Sequence, residues 1–219
     1  RTRKWSSTIL QALDLDPALL PTVLESMVVA GNLNGRSAVE TGLRAGTPVA
    51  VGGGDQAMAS LGLGLEPGEV ASTIATGGQV VSVTQETIID SRRRMHTLCY
   101  VKPGMSLLMG AILAAGLSLR WFRDNLGYPE TKAGQLLNMS AYELLSIESS
   151  RVNPGSDGLI FLPYLSGERT PHMDPKARGC FVGLTLAHTR GHMIRAVMEG
   201  VSFAMKDSLL IMKELGLSV

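Results

Sequence analysis

The stretch Val49–Gly64, VAVGGGDQAMASLGLG, constrains the fold more than any other part of the chain. Pro48 opens a short apolar run, Val49, Ala50 and Val51, that reads as a buried strand. The run meets three glycines and one acid, Asp55, and a small-residue helical segment follows with no linker. Strand, glycine turn and helix in that order belong to α/β sheets, whose ligands gather beside the carboxyl ends of the strands. Glycines let the backbone approach a ligand closely and adopt positive φ. Asp55 then has two readings. Its carboxylate accepts a proton from a hydroxyl, or it caps a helix that begins at Gln56. The stretch by itself favours the cap slightly.

The rest of the chain alternates in the same way. Residues 7–30 carry helical periodicity through Ile9, Leu10, Leu13, Leu20, Leu24 and Met27, punctuated by Pro17 and Pro21. Glu66-Pro67-Gly68-Glu69 is a strong turn. Beyond it, VASTIATGGQVVSVT predicts two strands joined at Thr76-Gly77-Gly78, and residues 92–102 predict a further strand. Met105–Leu119 is uncharged but shorter than the roughly 20 residues that span a bilayer, and it is read as part of a buried helix near 106–126. Ser140 and Glu143 form a capping box for a helix at about 141–150. GLIFLPYL is a buried strand. A last helix near 190–215 aligns Ile194, Val197, Met198, Val201, Met205 and Leu209 on one stripe. The change of texture at 66–70 divides this α/β chain into residues 1–67 and 68–219.

Composition removes several functions. Charged residues make up 18% and net charge is +1, so no basic face for nucleic acid or a membrane surface is expected. Cys99 and Cys180 are far apart and give neither a disulfide framework nor a metal spacing, which suits a reducing cytoplasm. The chain opens on RTRKWSS without a secretory pattern. No G-x-x-x-x-G-K-[ST] loop occurs, so ATP would be held by another architecture. Pro163–Leu184 is a long loop dense in Pro, Gly and charge, of the kind that is often functional. Its bland reading is a surface loop in which Glu168 pairs with Arg169 or Arg178. Arg169, His172 and Asp174 have two readings, lining a cleft or locking this loop, and the lock is the expected one. Arginines 92–94 read as a solvated turn, and His192 and Glu199 as supports of a packed helix.

Taken together, four stretches resemble the FGGY family of carbohydrate kinases, and within it the xylulokinase branch. They are GLRAGTPVAVGGGDQAMASLG, IATGGQV, GERTPHMDPKARG and GCFVGLTLAHTRGHMIRAVMEG. In the last, Gly179, Phe181, Gly183 and Leu184 precede His192, Met193, Ala196, Val197, Met198 and Glu199 at the family's spacing. The resemblance implies an actin-like, ribonuclease-H-like fold of two domains, both incomplete here, with an ATP and sugar cleft between them. Residues 1–67 would end the first, sugar-binding domain, and residues 68–219 would begin the second, nucleotide-binding one.

The resemblance also reverses the weighing of Asp55. It implies that Asp55 is the catalytic base that takes the proton from the sugar hydroxyl as that oxygen attacks the γ-phosphate of ATP. Gln56, the next residue, would touch the sugar. Thr76, with Gly77 and Gly78, would meet the ATP phosphates, Gly116 would line the nucleotide site, and Arg120 falls where some relatives carry a nucleotide-contacting glutamine. The expected reaction is D-xylulose to D-xylulose 5-phosphate with ATP and Mg²⁺. The alternatives are another pentulose or polyol such as ribulose or glycerol, or a non-catalytic nucleotide-binding module. A homodimer is compatible with the resemblance. Two departures stand out. Ala75-Thr76-Gly77-Gly78 replaces a turn that usually carries serine or a leading glycine. The family's opening Asp-x-Gly-Thr strand, which helps hold Mg²⁺, and its closing Gly-Gly-Gly-Ala-Arg-Ser stretch are absent, so the chain reads as a central fragment with metal ligands expected mainly elsewhere. Residues 1–219 alone are therefore expected not to turn over ATP, because phosphoryl transfer depends on positioning and charge stabilisation. An ADP-release assay on the isolated chain checks this, and sugar-dependent release that is lost in Asp55→Asn would overturn it.

Overall fold

The computed structural model describes residues 3–218; residues 1, 2 and 219, the outer ends of the two expected domain spans, lie outside it. The chain divides into two compact units, each built around its own elements. The first comprises Arg1–Pro67, Val83–Ile88 and Thr97–Leu107, and the second Gly68–Ser82, Ile89–His96 and Leu108–Val219.

The first unit begins with helix α1 (Ser7–Ala12), where the Ser6 hydroxyl accepts from the Ile9 N–H, and a 3-10 turn at Pro17–Leu19. The long helical periodicity read over 7–30 is thus two short pieces. Proline lacks an N–H and fits only the start of a helical turn; here Pro17 opens the second piece, and extended backbone follows at Leu20. Strands β1 (Val29–Asn32) and β2 (Pro48–Ala50) pair antiparallel with a bulge between Val29 and Gly31. Between them α2 (Gly35–Thr41) is capped by Asn34 and ends at Gly42 in the left-handed region, an arrangement glycine makes inexpensive. β2 is exposed, with Val49 at 46% and Val51 at 41%. The expectation of a buried run there is corrected: the β1–β2 sheet has only two strands, and Val28, Val29, Val49 and Val51 all remain open. Helix α3 (Asp55–Gly62) follows directly.

The second hairpin, β3 (Val70–Ile74) and β4 (Gly78–Thr84), is antiparallel in continuous register from Val70↔Ser82 to Ile74↔Gly78. With β5 (His96–Cys99) and β6 (Ser106–Ile112) these strands form a sheet in the order β3-β4-β6-β5. Ser106–Ile112 is therefore a strand and not the start of a helix. Every one of its seven residues is buried, and a short run that is apolar on both faces has no periodicity to distinguish the two structures. The helix α4 starts only at Gly116 and runs to Leu126.

Helices α5 (Tyr128–Leu137), α6 (Ala141–Ser150) and α7 (Arg190–Glu214) complete the second unit with the antiparallel pair β7 (Ile160–Leu162) and β8 (Cys180–Val182). The Ser140–Glu143 capping box is present. At the head of α7, His192 plays the acidic residue's part, its Nδ1 accepting from the Thr189 N–H at 3.0 Å. One cluster of Phe122, Leu145, Leu159, Phe161, Ile194, Ala196 and Val197 holds α4, α6, β7 and α7 together. Along the stripe read for α7, Met198 departs, at 40% exposure. Arg94 also departs from the solvated turn expected for 92–94. Its guanidinium binds the buried Asp90 carboxylate at 3.1 Å and Glu214 at 2.8 Å. Burial alone would raise the Asp90 pKa, but hydrogen bonds from the Arg94 side chain and from the Arg94 and Arg92 N–H groups hold it below the usual range.

Gly200, inside α7, faces β7 so closely that a Cβ there would collide with the Phe161 carbonyl oxygen. Gly200→Ala is expected to cost about 2 kcal/mol or more. Gly35→Ala, where a Cβ meets nothing within 4 Å, should leave stability unchanged or raise it by up to about 1 kcal/mol. Urea unfolding of the two variants beside the parent chain measures the contrast.

Candidate functional site

In the first unit the glycine turn has a clear steric logic. Gly52 takes φ +75°, a left-handed conformation, and Gly53 leaves a Cβ only 3.3 Å from Val101 Cγ1 and 3.4 Å from Ser26 Oγ. Gly54 is the N-cap of α3 and supplies no side chain to cap it. Asp55 is thus the first residue inside the helix and not its cap. Its Oδ1 accepts only from the Gln56 N–H next to it, at 2.8 Å, and its side chain stands in solvent. Among the described residues no lysine or arginine pairs with it. Gln56 is half-buried beside it. A cavity of about 290 Å³ opens against Gly53 and Gly54, with Arg3, Glu25, Ser26 and Tyr100 on its walls. An acid in the first turn suits the helix dipole, and the fold leaves this one exposed at the lip.

In the second unit the structure gathers Thr76, Gly116 and Arg120 around one open depression of about 300 Å³, with Ala75, Leu117, Leu119 and Tyr142. Backbone pairing brings the segments together. The Thr76 carbonyl accepts from the N–H groups of Ala115 (3.1 Å) and Leu117 (3.0 Å), and the Ala75 carbonyl from that of Gly116 (2.8 Å). The glycines make the approach possible. A Cβ on Gly116 would collide with the Ala75 carbonyl oxygen, and one on Gly77 would lie 2.7 Å from the Ile112 carbonyl oxygen. Gly78 is buried with Ala115 Cβ 3.1 Å from where its own Cβ would be. The glycine that replaces a serine in the usual turn is therefore required by packing in this chain. The Thr76 side chain and Arg120 are exposed at the rim. Tyr142, unmarked in the sequence reading, forms a wall and is braced by the Arg123 guanidinium 4.8 Å from its ring centre. Its only sequence signal was its place in the first turn of a well-capped helix.

The Pro163–Leu184 loop is tied down by Glu168, which is 2% exposed. The surface ion pair expected for Glu168 with Arg169 or Arg178 does not form. Its Oε1 instead accepts from the N–H groups of Leu113 (3.0 Å) and Arg169 (2.7 Å). Arg178 donates to the carbonyls of Pro175 and Ala177. Glu168 and Asp174 pair through their backbones, and His172 meets the Tyr164 hydroxyl at 2.9 Å. His192 Nε2 and Asp157 are 3.0 Å apart, and Glu199 accepts from the Gly155 N–H, so both residues hold α7 in place. Among the described residues no group of three or more His, Cys, Asp or Glu is gathered for a metal ion, and no helix is long and apolar enough to cross a membrane.

Residues 70–219 match the C-terminal domain, and residues 1–62 the N-terminal domain, of the FGGY family of carbohydrate kinases; the chain belongs to this family. It is 38% identical over 212 residues to a xylulose kinase of Lactococcus lactis, covering 97% of this chain and 40% of that protein. It is 32% identical over 212 residues to a gluconokinase of Bacillus subtilis, covering 96% of this chain and 41% of that one. Its fold matches the crystal structure of xylulose kinase from Rhodospirillum rubrum with a TM-score of 0.84 at 29% identity, over 97% of this chain and 41% of that chain. The mixed α/β architecture is that of the actin-like sugar kinases. The chain spans about 40% of the length of the relatives it matches.

Burial pushes the Glu168 carboxyl up from the ordinary glutamate range, against the pull of its two backbone donors and Arg169. The native state then holds this proton more tightly than the unfolded chain. The contribution is full below the unfolded value of about 4.3 and is lost as pH rises through the raised native value. The stability difference between the parent chain and Glu168→Gln should therefore shift against the parent as pH rises from 4 toward 7, in urea unfolding at several pH values.

Proposed function

We propose that this chain forms part of an ATP-dependent kinase for a sugar hydroxyl, with D-xylulose as the substrate. The observation that carries the reading is Asp55: an exposed carboxylate with no cationic partner among the described residues, set at the first turn of α3 by glycines that clear the space beside it. A residue that only stabilised the helix would gain from a position at the cap, where its oxygen could reach the N–H groups two or three residues on. Family membership supplies the reaction class, and the xylulose kinases of Lactococcus lactis and Bacillus subtilis, at 38% and 36% identity, favour the substrate.

In this reading Asp55 accepts the proton of the sugar hydroxyl. The hydroxyl oxygen forms its bond to the γ-phosphorus as the bond from that phosphorus to the β,γ-bridging oxygen breaks, and ADP leaves. Gln56 hydrogen-bonds the sugar beside the reacting hydroxyl. The Thr76-Gly77-Gly78 turn lies against the nucleotide phosphates, with Gly116 and Arg120 on the same depression. The close packing at Gly77 and Gly116 supports the fit: a Cβ at either position would collide with a backbone carbonyl oxygen, of Ile112 or of Ala75, and force the turn and the helix start apart. Mg²⁺ would supply charge neutralisation in such a transfer; among the described residues no group of three or more His, Cys, Asp or Glu is gathered to hold it. A gluconate-type acid sugar is the second reading, favoured by the 32% identity to the Bacillus subtilis gluconokinase.

ADP release by the full-length protein with ATP and Mg²⁺, across ketopentoses, ketohexoses, polyols and gluconate, tests the proposal. D-Xylulose should give the highest kcat/KM, and Asp55→Asn should lower kcat about 10³-fold with little change in nucleotide binding. Release with gluconate alone would replace the substrate. A folded protein that binds ATP and phosphorylates nothing in the panel would overturn the kinase reading.

A further inference from the structure

β6 ends at Ile112, four residues before Gly116, which with Leu117 lines the depression at Thr76, and that strand end is not held by its sheet alone. The loop residues Glu168 and Thr170 hold it from the other side. Glu168 Oε1 accepts the Leu113 N–H at 3.0 Å while also accepting that of Arg169 at 2.7 Å. The Thr170 hydroxyl accepts the Ala111 N–H at 3.1 Å and donates to the Arg94 carbonyl at 2.8 Å. The Thr170 N–H in turn donates to the Ala111 carbonyl at 2.9 Å. Both side chains are buried, Glu168 at 2% and Thr170 at 0% exposure. The N–H groups of Ala111, in the strand, and of Leu113, one residue past its end, are thus fixed by two side chains of one loop. Immediately beyond come Ala115, Gly116 and Leu117, whose N–H groups bind the carbonyls of Ala75 and Thr76. The Ile112 carbonyl, between the two anchored residues, is the atom a side chain at Gly77 would strike.

The geometry points to Glu168, with Thr170, as positioning residues for the nucleotide-binding turn. The inference rests on the kinase reading only in naming the ligand as a nucleotide. Neither residue touches the depression, since its lining is Ala75, Thr76, Gly116, Leu117, Leu119, Arg120 and Tyr142. Their effect passes through the backbone of residues 111–117. Burying a carboxyl group is costly unless its hydrogen bonds are made; here Oε1 has two donors while Oε2 is buried with no partner among the described residues, and a loop that only needed a stop could have used an apolar residue. Two backbone donors on one carboxyl oxygen set both the loop and the strand end. A displacement of the strand end would move Gly116 and the Thr76 carbonyl with it, because the carbonyls of Ala75 and Thr76 leave no slack between the segments. Sub-ångström placement errors of this kind are expensive at a phosphate site.

The test measures ADP and ATP binding to the full-length protein by calorimetry, beside sugar binding by the same method. Glu168→Ala removes the acceptor for Leu113 and is expected to weaken nucleotide binding about tenfold while sugar affinity changes less than about twofold. Glu168→Gln keeps an acceptor oxygen and should restore binding to near that of the parent. Thr170→Val removes the acceptor for Ala111 with little change in volume and should shift the nucleotide constant in the same direction. Amide exchange at Leu113 and at residues 75–78 should quicken in Glu168→Ala and not in Glu168→Gln. Nucleotide binding unchanged in both Glu168→Ala and Thr170→Val would overturn the assignment, as would an equal loss of sugar and nucleotide affinity. A parent protein that binds ATP but phosphorylates no sugar would end the kinase reading and leave this comparison intact. One that binds no nucleotide would end both.

Discussion

The second unit depends on a three-bond backbone seam. The carbonyls of Ala75 and Thr76 accept the N–H groups of Gly116, Ala115 and Leu117, so the turn of one hairpin is sewn to the first residues of α4. Helix starts leave orphan N–H groups that need partners, and α4 has no side-chain cap to provide them. The hairpin turn is therefore the cap of α4. That arrangement needs two main chains in direct contact, which is why glycine occupies both 77 and 116. It also places an exposed threonine hydroxyl beside a helix start, surroundings that favour an anion. The first-turn donors at 116 and 117 are already spent on the hairpin, so in the proposed function a nucleotide phosphate would be met by the turn and its side chain.

The seam would be of little use if its far side were free. α4 is held by Phe122 in the core with Leu145, Phe161 and Ile194, and Phe161 in turn lies under Gly200 of α7. The strand before α4 is held by Glu168 and Thr170. Two glycines and two buried polar side chains thus convert a set of ordinary elements into one fixed depression. An apolar core alone could not do this, because hydrophobic contact is non-directional and sets distance more than register. Hydrogen bonds to named backbone atoms set the register.

What could be read in the sequence follows from this distinction. The glycine turns, the Ser140 capping box and the stripe of α7 were legible because they depend on local spacing. The candidate site residues Asp55 and Thr76 are conspicuous in the sequence because each sits beside a run of glycines. β6 was misread because it is buried on both faces, which erases the alternation that marks a strand. β2 was read as buried from composition, but burial is decided by which elements lie over a strand, and Val49 and Val51 lie open. Glu168 is not the surface charge of the loop's bland reading, which follows from charged residues in a Pro- and Gly-rich loop usually being solvated. Its role depends on Leu113, 55 residues away in sequence, a relation that no local pattern encodes.

The two halves of the candidate machinery are built on opposite physical terms. The proposed role of Asp55 needs an open carboxyl group, and it stands in solvent at a helix start with no lysine or arginine paired to it among the described residues. Glu168 has to be a fixed acceptor, so the fold buries it and gives it two N–H donors. Each environment would spoil the other's task. In the proposed role, an Asp55 buried with both oxygens held by backbone donors would have none open to a proton, whereas here Oδ1 accepts the Gln56 N–H and the side chain remains exposed. An exposed Glu168 would compete with water for the Leu113 N–H and hold the strand end only loosely. Two acids of nearly equal intrinsic acidity are thus given different work by burial and by hydrogen-bond partners alone.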